Sequence, residues 1–155
     1  MAQTIKPPSP IIIPAEKKSV FLAGSIEMGK AEDWQTRFAD ALSDDDVIIL
    51  NPRRDDWDSS WEQRIENDQF RGQVEWELAG QEQANVIALY FAPDTKAPIT
   101  LLELGLFAHT GKVIVCCPDG FWRKGNVDVV CRRYGVKQVD SLQALIAETK
   151  RAIFR

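Results

Sequence analysis

The chain has 155 residues, 45% hydrophobic and 27% charged, the balance of one globular domain, which excludes global disorder. A formal net charge of -4 excludes general attraction to nucleic-acid phosphate or anionic lipid, so no nucleic acid and no membrane is expected as a partner. The longest apolar runs fall far short of the roughly 18–20 residues of a spanning helix, and the N-terminus lacks a secretory signal's continuous apolar core; a cytoplasmic protein is expected. In chain order, residues 1–17 carry Pro7, Pro8, Pro10 and Pro14 and read as an extended Pro-rich segment. Residues 18–155 follow as a single α/β domain. Five short apolar runs mark its strands: Val20–Ala23, Val47–Leu50, Val86–Phe91, Val113–Cys117 and, more weakly, Val136–Val139. Each is too short for a core helix and rich in β-branched or aromatic side chains, as buried parallel strands are.

Helical patterns alternate with these runs. Trp34, Phe38, Ala41 and Leu42 share one face, a longer stretch runs from Ser60 to Ala84 with an interruption near Gly72, and Pro98–Thr110 ends at Gly111. Leu142, Leu145, Ile146 and Ile153 form the stripe of a terminal helix. Strictly alternating strands and helices imply right-handed crossovers and a flavodoxin-like three-layer sandwich, with a five-stranded parallel sheet in the order 2-1-3-4-5. Ligands of such sheets bind outside the carboxyl ends of the strands where the order reverses. Gly24–Gly29, Asn51–Ser59 and Ala92–Glu103 meet at that crevice.

Glu103 is the most informative residue. It interrupts PITLLELGLFAH, a helix apolar on nearly every face, where a carboxylate costs several kcal/mol unless paired or hydrogen-bonded. It reads either as half of a structural ion pair or as a nucleophile or base at the crevice. Glu75 and Glu77, two positions apart, point to different faces of the preceding helix, with Val74, Leu78 and Gln81 or Ala84 marking its inward side and Glu77 closer to it. A second carboxyl near Glu103 would raise one of the two pKa values and separate acid from nucleophile.

In LAGSIEMG, Gly24, Ser25 and Gly29 permit a tight turn and close approach of a ligand, but the loop has neither a dinucleotide fingerprint nor a Walker A lysine. Glu27 makes it a poor neighbour for phosphate. In NPRRDDWDSSW, Trp57 or Trp61 could stack on a flat heterocycle while Asp55, Asp56 or Asp58 accept from ring or amino N–H groups. The competing reading pairs these acids with Arg53 and Arg54. His109 turns away from the Glu103 face and reads as a capping or surface residue. Asn126 and Asp128 open a helix as caps or as sugar ligands. Three cysteines without metal-ligand spacing and a single histidine leave no metal centre and no cofactor to expect.

SVFLAGSIEMG, NPRRDDWDSSW, QVEWELAGQEQANVIALYFAPD, ITLLELGLFAHTGK and FWRKGNVD, in this order and spacing, resemble the nucleoside 2-deoxyribosyltransferase family in its branch of small single-domain members. The resemblance covers about residues 19–135. It implies a homo-oligomer with shared active sites, acting on deoxynucleosides and free nucleobases. It assigns Glu103, in LELG, as the nucleophile on C1′ and Glu77 as proton donor or orienting group, with base exchange through a covalent deoxyribosyl–enzyme intermediate. Asn126 matches the family's asparagine that reaches the sugar of a neighbouring subunit. Two positions depart from the pattern. Phe21 stands where a tyrosine commonly bonds the nucleophile, and Ala97 where an aspartate commonly contacts the base, so base recognition is expected from Asp55–Trp61. A deoxynucleoside 5′-monophosphate N-glycosidase or nucleoside hydrolase is the alternative within the resemblance, and a non-catalytic nucleoside-binding module the alternative outside it.

Overall fold

The computed structural model describes residues 1–26, 32–55, 58 and 60–154. Six strands, β1 (Gln3–Ile5), β2 (Lys18–Gly24), β3 (Val47–Leu50), β4 (Val86–Tyr90), β5 (Val113–Cys116) and β6 (Lys137–Val139), form one all-parallel sheet in the order β1-β3-β2-β4-β5-β6. The expectation of five strands in the order 2-1-3-4-5 is corrected by an added edge strand inside the Pro-rich segment. Gln3, Thr4 and Ile5 pair with Ile48, Ile49 and Leu50, and only Ile5 is buried. Three residues with one apolar side chain carry no periodicity, so pairing with β3 rather than local pattern makes this a strand. The flavodoxin-like class stands.

The helices are α1 (Trp34–Ala41), α2 (Asp68–Gln83), α3 (Pro98–Phe107), α4 (Lys124–Tyr134) and α5 (Leu142–Ile153). Strand side chains alternate between two cores. Phe21, Ala23, Ile87, Leu89 and Phe91 share one with Trp76, Leu104 and Val127, from α2, α3 and α4. Val20, Leu22, Ala88 and Tyr90 share the other with Trp34, Phe38 and Leu145, from α1 and α5.

Local chemistry sets the helix ends. The Asn67 side chain accepts from the Phe70 N–H, so α2 begins at Asp68 rather than Ser60, and Gly72 lies inside it without a break. Its last turn has no basic residue of its own. Instead Lys112 Nζ, from the start of β5, donates to the carbonyls of Gln81 (2.6 Å), Glu82 (2.9 Å) and Ala84 (3.0 Å), meeting the negative end of the helix. Pro98 opens α3, where its missing N–H is harmless, and a 3-10 turn (Ala108–Thr110) leads to left-handed Gly111, φ 80°.

Close approach places α2 over β2. A Cβ on Gly80 would come within 2.8 Å of the Phe21 ring, so glycine lets the helix backbone lie almost on that ring. The N-terminal segment then crosses α2: Trp76 Nε1 donates to the Ser9 carbonyl at 2.8 Å.

Candidate active site

Glu103 lies in the second turn of α3 and is 6% exposed. Facing it is a polar stripe of α2, Gln73, Glu77 and Gln81, spaced four residues apart so that the three side chains stack along one helix face. Gln81 Nε2 donates to Glu103 Oε2 at 2.7 Å and to the Glu77 carbonyl at 3.1 Å. Gln73 Nε2 donates to Glu77 Oε2 at 2.9 Å and to the Pro52 carbonyl at 3.0 Å. One amide thus ties the Glu103 carboxyl to the backbone of α2, and the other ties the Glu77 carboxyl to the loop after β3.

Among the described residues no lysine or arginine forms an ion pair with Glu77 or Glu103. Burial therefore raises both carboxyls well above the ordinary carboxylate range, and at Glu103 the neighbouring Glu77 adds to the rise; the amide donors Gln73 and Gln81 act in the opposite sense. Such a pair holds a proton near neutral pH, and titrates as a unit. Of the two, Glu103 carries the larger rise, because the charge of Glu77 adds to its burial, while the positive end of the α3 dipole acts in the opposite sense.

The Oε1 atoms of Gln73 and Gln81 are buried without a hydrogen-bond partner. Of the positions that mark the inward side in the sequence, Gln81 and Ala84 are buried and Val74 is not, while the pairing of Gln73 and Gln81 with the two carboxyls has no expectation behind it. Val74 is 38% exposed, and Gln73, Trp76, Gly80 and Gln81 are the buried positions. The signal was present as Q-x-x-x-E-x-x-x-Q, a polar row at helical spacing.

The residues after β2 meet those after β4 at the reversal point. Ser25 Oγ accepts from the Ala92 N–H at 3.0 Å and lies 2.8 Å from Thr95 Oγ1, which itself donates to the Ala92 carbonyl. Its hydroxyl is engaged in joining the two loops. A Cβ on Gly24 would collide with the Tyr90 carbonyl and the Trp34 ring. Phe21 is fully buried against Trp76, with ring centroids 6.1 Å apart.

In the loop after β3, Asp55 pairs with Lys6 at 2.9 Å, Asp58 accepts from the hydroxyl and the N–H of Ser60, which lower its pKa, and the Arg54 guanidinium stacks over Trp61 at 4.7 Å. Asp56, Trp57 and Glu27 lie outside the described residues. Asn126 and Asp128, on α4, are not brought to the carboxyl pair. Asn126 lines a groove of about 340 Å³ between α3 and α4 with Leu101, Leu104 and Trp122. Asp128 pairs with Lys124 at 3.1 Å, at the rim of a cleft of about 760 Å³ beside β5 and β6. His109 is exposed. Cys116, Cys117 and Cys131 are buried, and burial pushes each thiol up to about 11, so none is a thiolate at neutral pH. Among the described residues no group of three or more histidine, cysteine, aspartate or glutamate side chains could hold a metal ion, and no helix is long and apolar enough to cross a membrane.

Compared with known proteins, residues 17–121 match a family model described as nucleoside 2-deoxyribosyltransferase like. The matched span includes both carboxyls and the amide stripe; Asn126 lies beyond it. No curated protein matches the chain.

Proposed function

The chain belongs to the nucleoside 2-deoxyribosyltransferase-like family, and on that premise we propose that it exchanges the base of 2′-deoxynucleosides by double displacement at Glu103. The observation carrying this reading is the buried Glu103 beside the half-buried Glu77, neither ion-paired to a cation among the described residues and each held by an amide of α2. The ionised Glu103 attacks C1′ as the C1′–N bond breaks. The bond's electron pair goes to the departing base, which takes the proton held on Glu77. A deoxyribosyl ester of Glu103 remains. An incoming base attacks C1′, returns a proton to Glu77 and frees Glu103, so two inversions give net retention.

In this reading the loop after β3, tied to Glu77 through Gln73 and Pro52, carries base recognition by Asp55, Asp56, Trp57, Asp58 and Trp61. Gly24, Ser25 and Phe21 shape the wall behind the sugar. Asn126, and with it Asp128, serve a second copy's site. The outer face of α3 supports that assembly: Ile99, Leu102 and Leu106 are 59%, 59% and 45% exposed, beside Trp122, an apolar surface of the kind that partners cover.

Incubation with a deoxynucleoside, with and without a second free base, tests the reading. Transfer yields a new nucleoside and, on quenching, a deoxyribosyl adduct on Glu103 by mass spectrometry. Free deoxyribose without exchange identifies an N-glycosidase using water in place of the second base. Binding without turnover identifies a nucleoside-binding module, with Glu103 structural.

A further inference from the structure

Phe21, the buried strand residue behind the site, has no hydrogen-bond donor to offer a carboxylate, and no cation pairs with Glu103 among the described residues. The donor comes from α2. Both protons of Gln81 Nε2 are committed, one to Glu103 Oε2 at 2.7 Å and one to the carbonyl of Glu77, one turn earlier in the same helix, at 3.1 Å. Rotating the amide by half a turn would set Oε1 against the Glu77 carbonyl, which can only accept, so that contact favours the orientation with Nε2 on Glu103. The backbone at Gln81 is pinned as well, because its own carbonyl accepts from Lys112 Nζ at 2.6 Å. Glu103 Oε1 has no hydrogen bond to any described residue.

We propose that Gln81 is a positioning residue that anchors Glu103 through Oε2 and thereby selects Oε1 as the atom that bonds C1′. This rests on the reading of Glu103 as the nucleophile. A carboxylate with one oxygen fixed to a rigid helix loses its freedom to rotate, and presents one lone-pair direction to the anomeric carbon. The same donor favours the ionised form. The sheet residues on this face, Phe21, Ala23, Leu89 and Phe91, are apolar; Glu77 on α2 is the titratable group that faces Glu103.

The test replaces Gln81 by leucine, of similar size and without a donor, and by methionine should the leucine variant fail to give the native circular dichroism spectrum. The expected result is a fall in kcat of about ten- to hundredfold, the range for loss of a hydrogen bond to a charged group, with KM little changed and the acid limb of the kcat profile moved to higher pH. Unchanged kcat with an unchanged acid limb overturns the proposal. A second readout does not depend on turnover. In protein labelled with carbon-13 at glutamate carboxyls, the Glu103 midpoint moves upward in the variant; an unmoved midpoint overturns the anchoring role. Absence of any deoxyribosyl adduct in the unsubstituted protein removes the transferase reading, while a wild-type adduct with normal variant kinetics removes only the role of Gln81.

Discussion

At the scale of single residues, the proposed chemistry and the pH response both turn on the two carboxyls. Glu103→Gln keeps the shape and removes the nucleophile, so exchange should fall by at least about a thousandfold and the mass-spectrometric adduct should vanish. The stability response has a definite sign. Both groups have folded-state pKa values above the ordinary carboxylate value, so the folded chain binds more protons than the unfolded one between those limits. Stability is then full below the unfolded value and falls as pH rises towards neutrality, by on the order of a few kcal/mol. Urea unfolding from pH 5 to pH 8 should show this decline, and Glu103→Gln should flatten it. Asp33 and Asp58 respond oppositely, with lowered pKa values, so their stabilisation disappears only at the acid end. Ser25 makes a separate contribution. Ser25→Ala leaves the buried Ala92 N–H without its acceptor and should cost about 1–3 kcal/mol, measurable in the same unfolding experiment.

The elements show where local pattern was sufficient and where it was not. Strands with four or more buried apolar residues were legible because alternating faces and β-branching persist over their length. The carboxyl pair was legible for a related reason: Glu103 stands alone in an apolar helix, and burial makes such a residue costly enough to require a purpose. β1 was not legible, since its three residues become a strand only by pairing with β3. The amide stripe was legible only at Gln81, since glutamines on a helix ordinarily face water and the bonds from Gln73 and Gln81 to the carboxyls depend on how α2 meets α3 and the loop after β3. The end of α2 depends on a residue 28 to 31 positions later in the chain. Lys112→Met should fray that end and destabilise the fold by about 1–2 kcal/mol, with faster amide hydrogen exchange confined to the last turn of α2.

For the whole molecule, the proposed reaction draws on both Asn126 of α4 and Glu103 of α3, which are not in contact within one chain. A second copy on the outer face of α3 is the proposed means of joining them, and that arrangement makes a clear expectation. Leu102→Glu should yield a monomer by sedimentation and lose exchange without losing its fold, whereas mixing inactive Glu103→Ala and Asn126→Ala proteins should restore activity as hybrid assemblies form. Restoration failing while both parents assemble would separate the oligomer from the chemistry.

The chain's first dozen residues fasten the body at two places, the open border of β3 and the indole of Trp76. Trimming them back to Pro10 would bare a row of unpaired backbone groups on β3, the template along which chains stack edge to edge. A shortened protein is therefore expected to precipitate rather than merely to soften. β1 thus replaces the all-apolar border of β3 with a three-residue one that carries two exposed polar side chains.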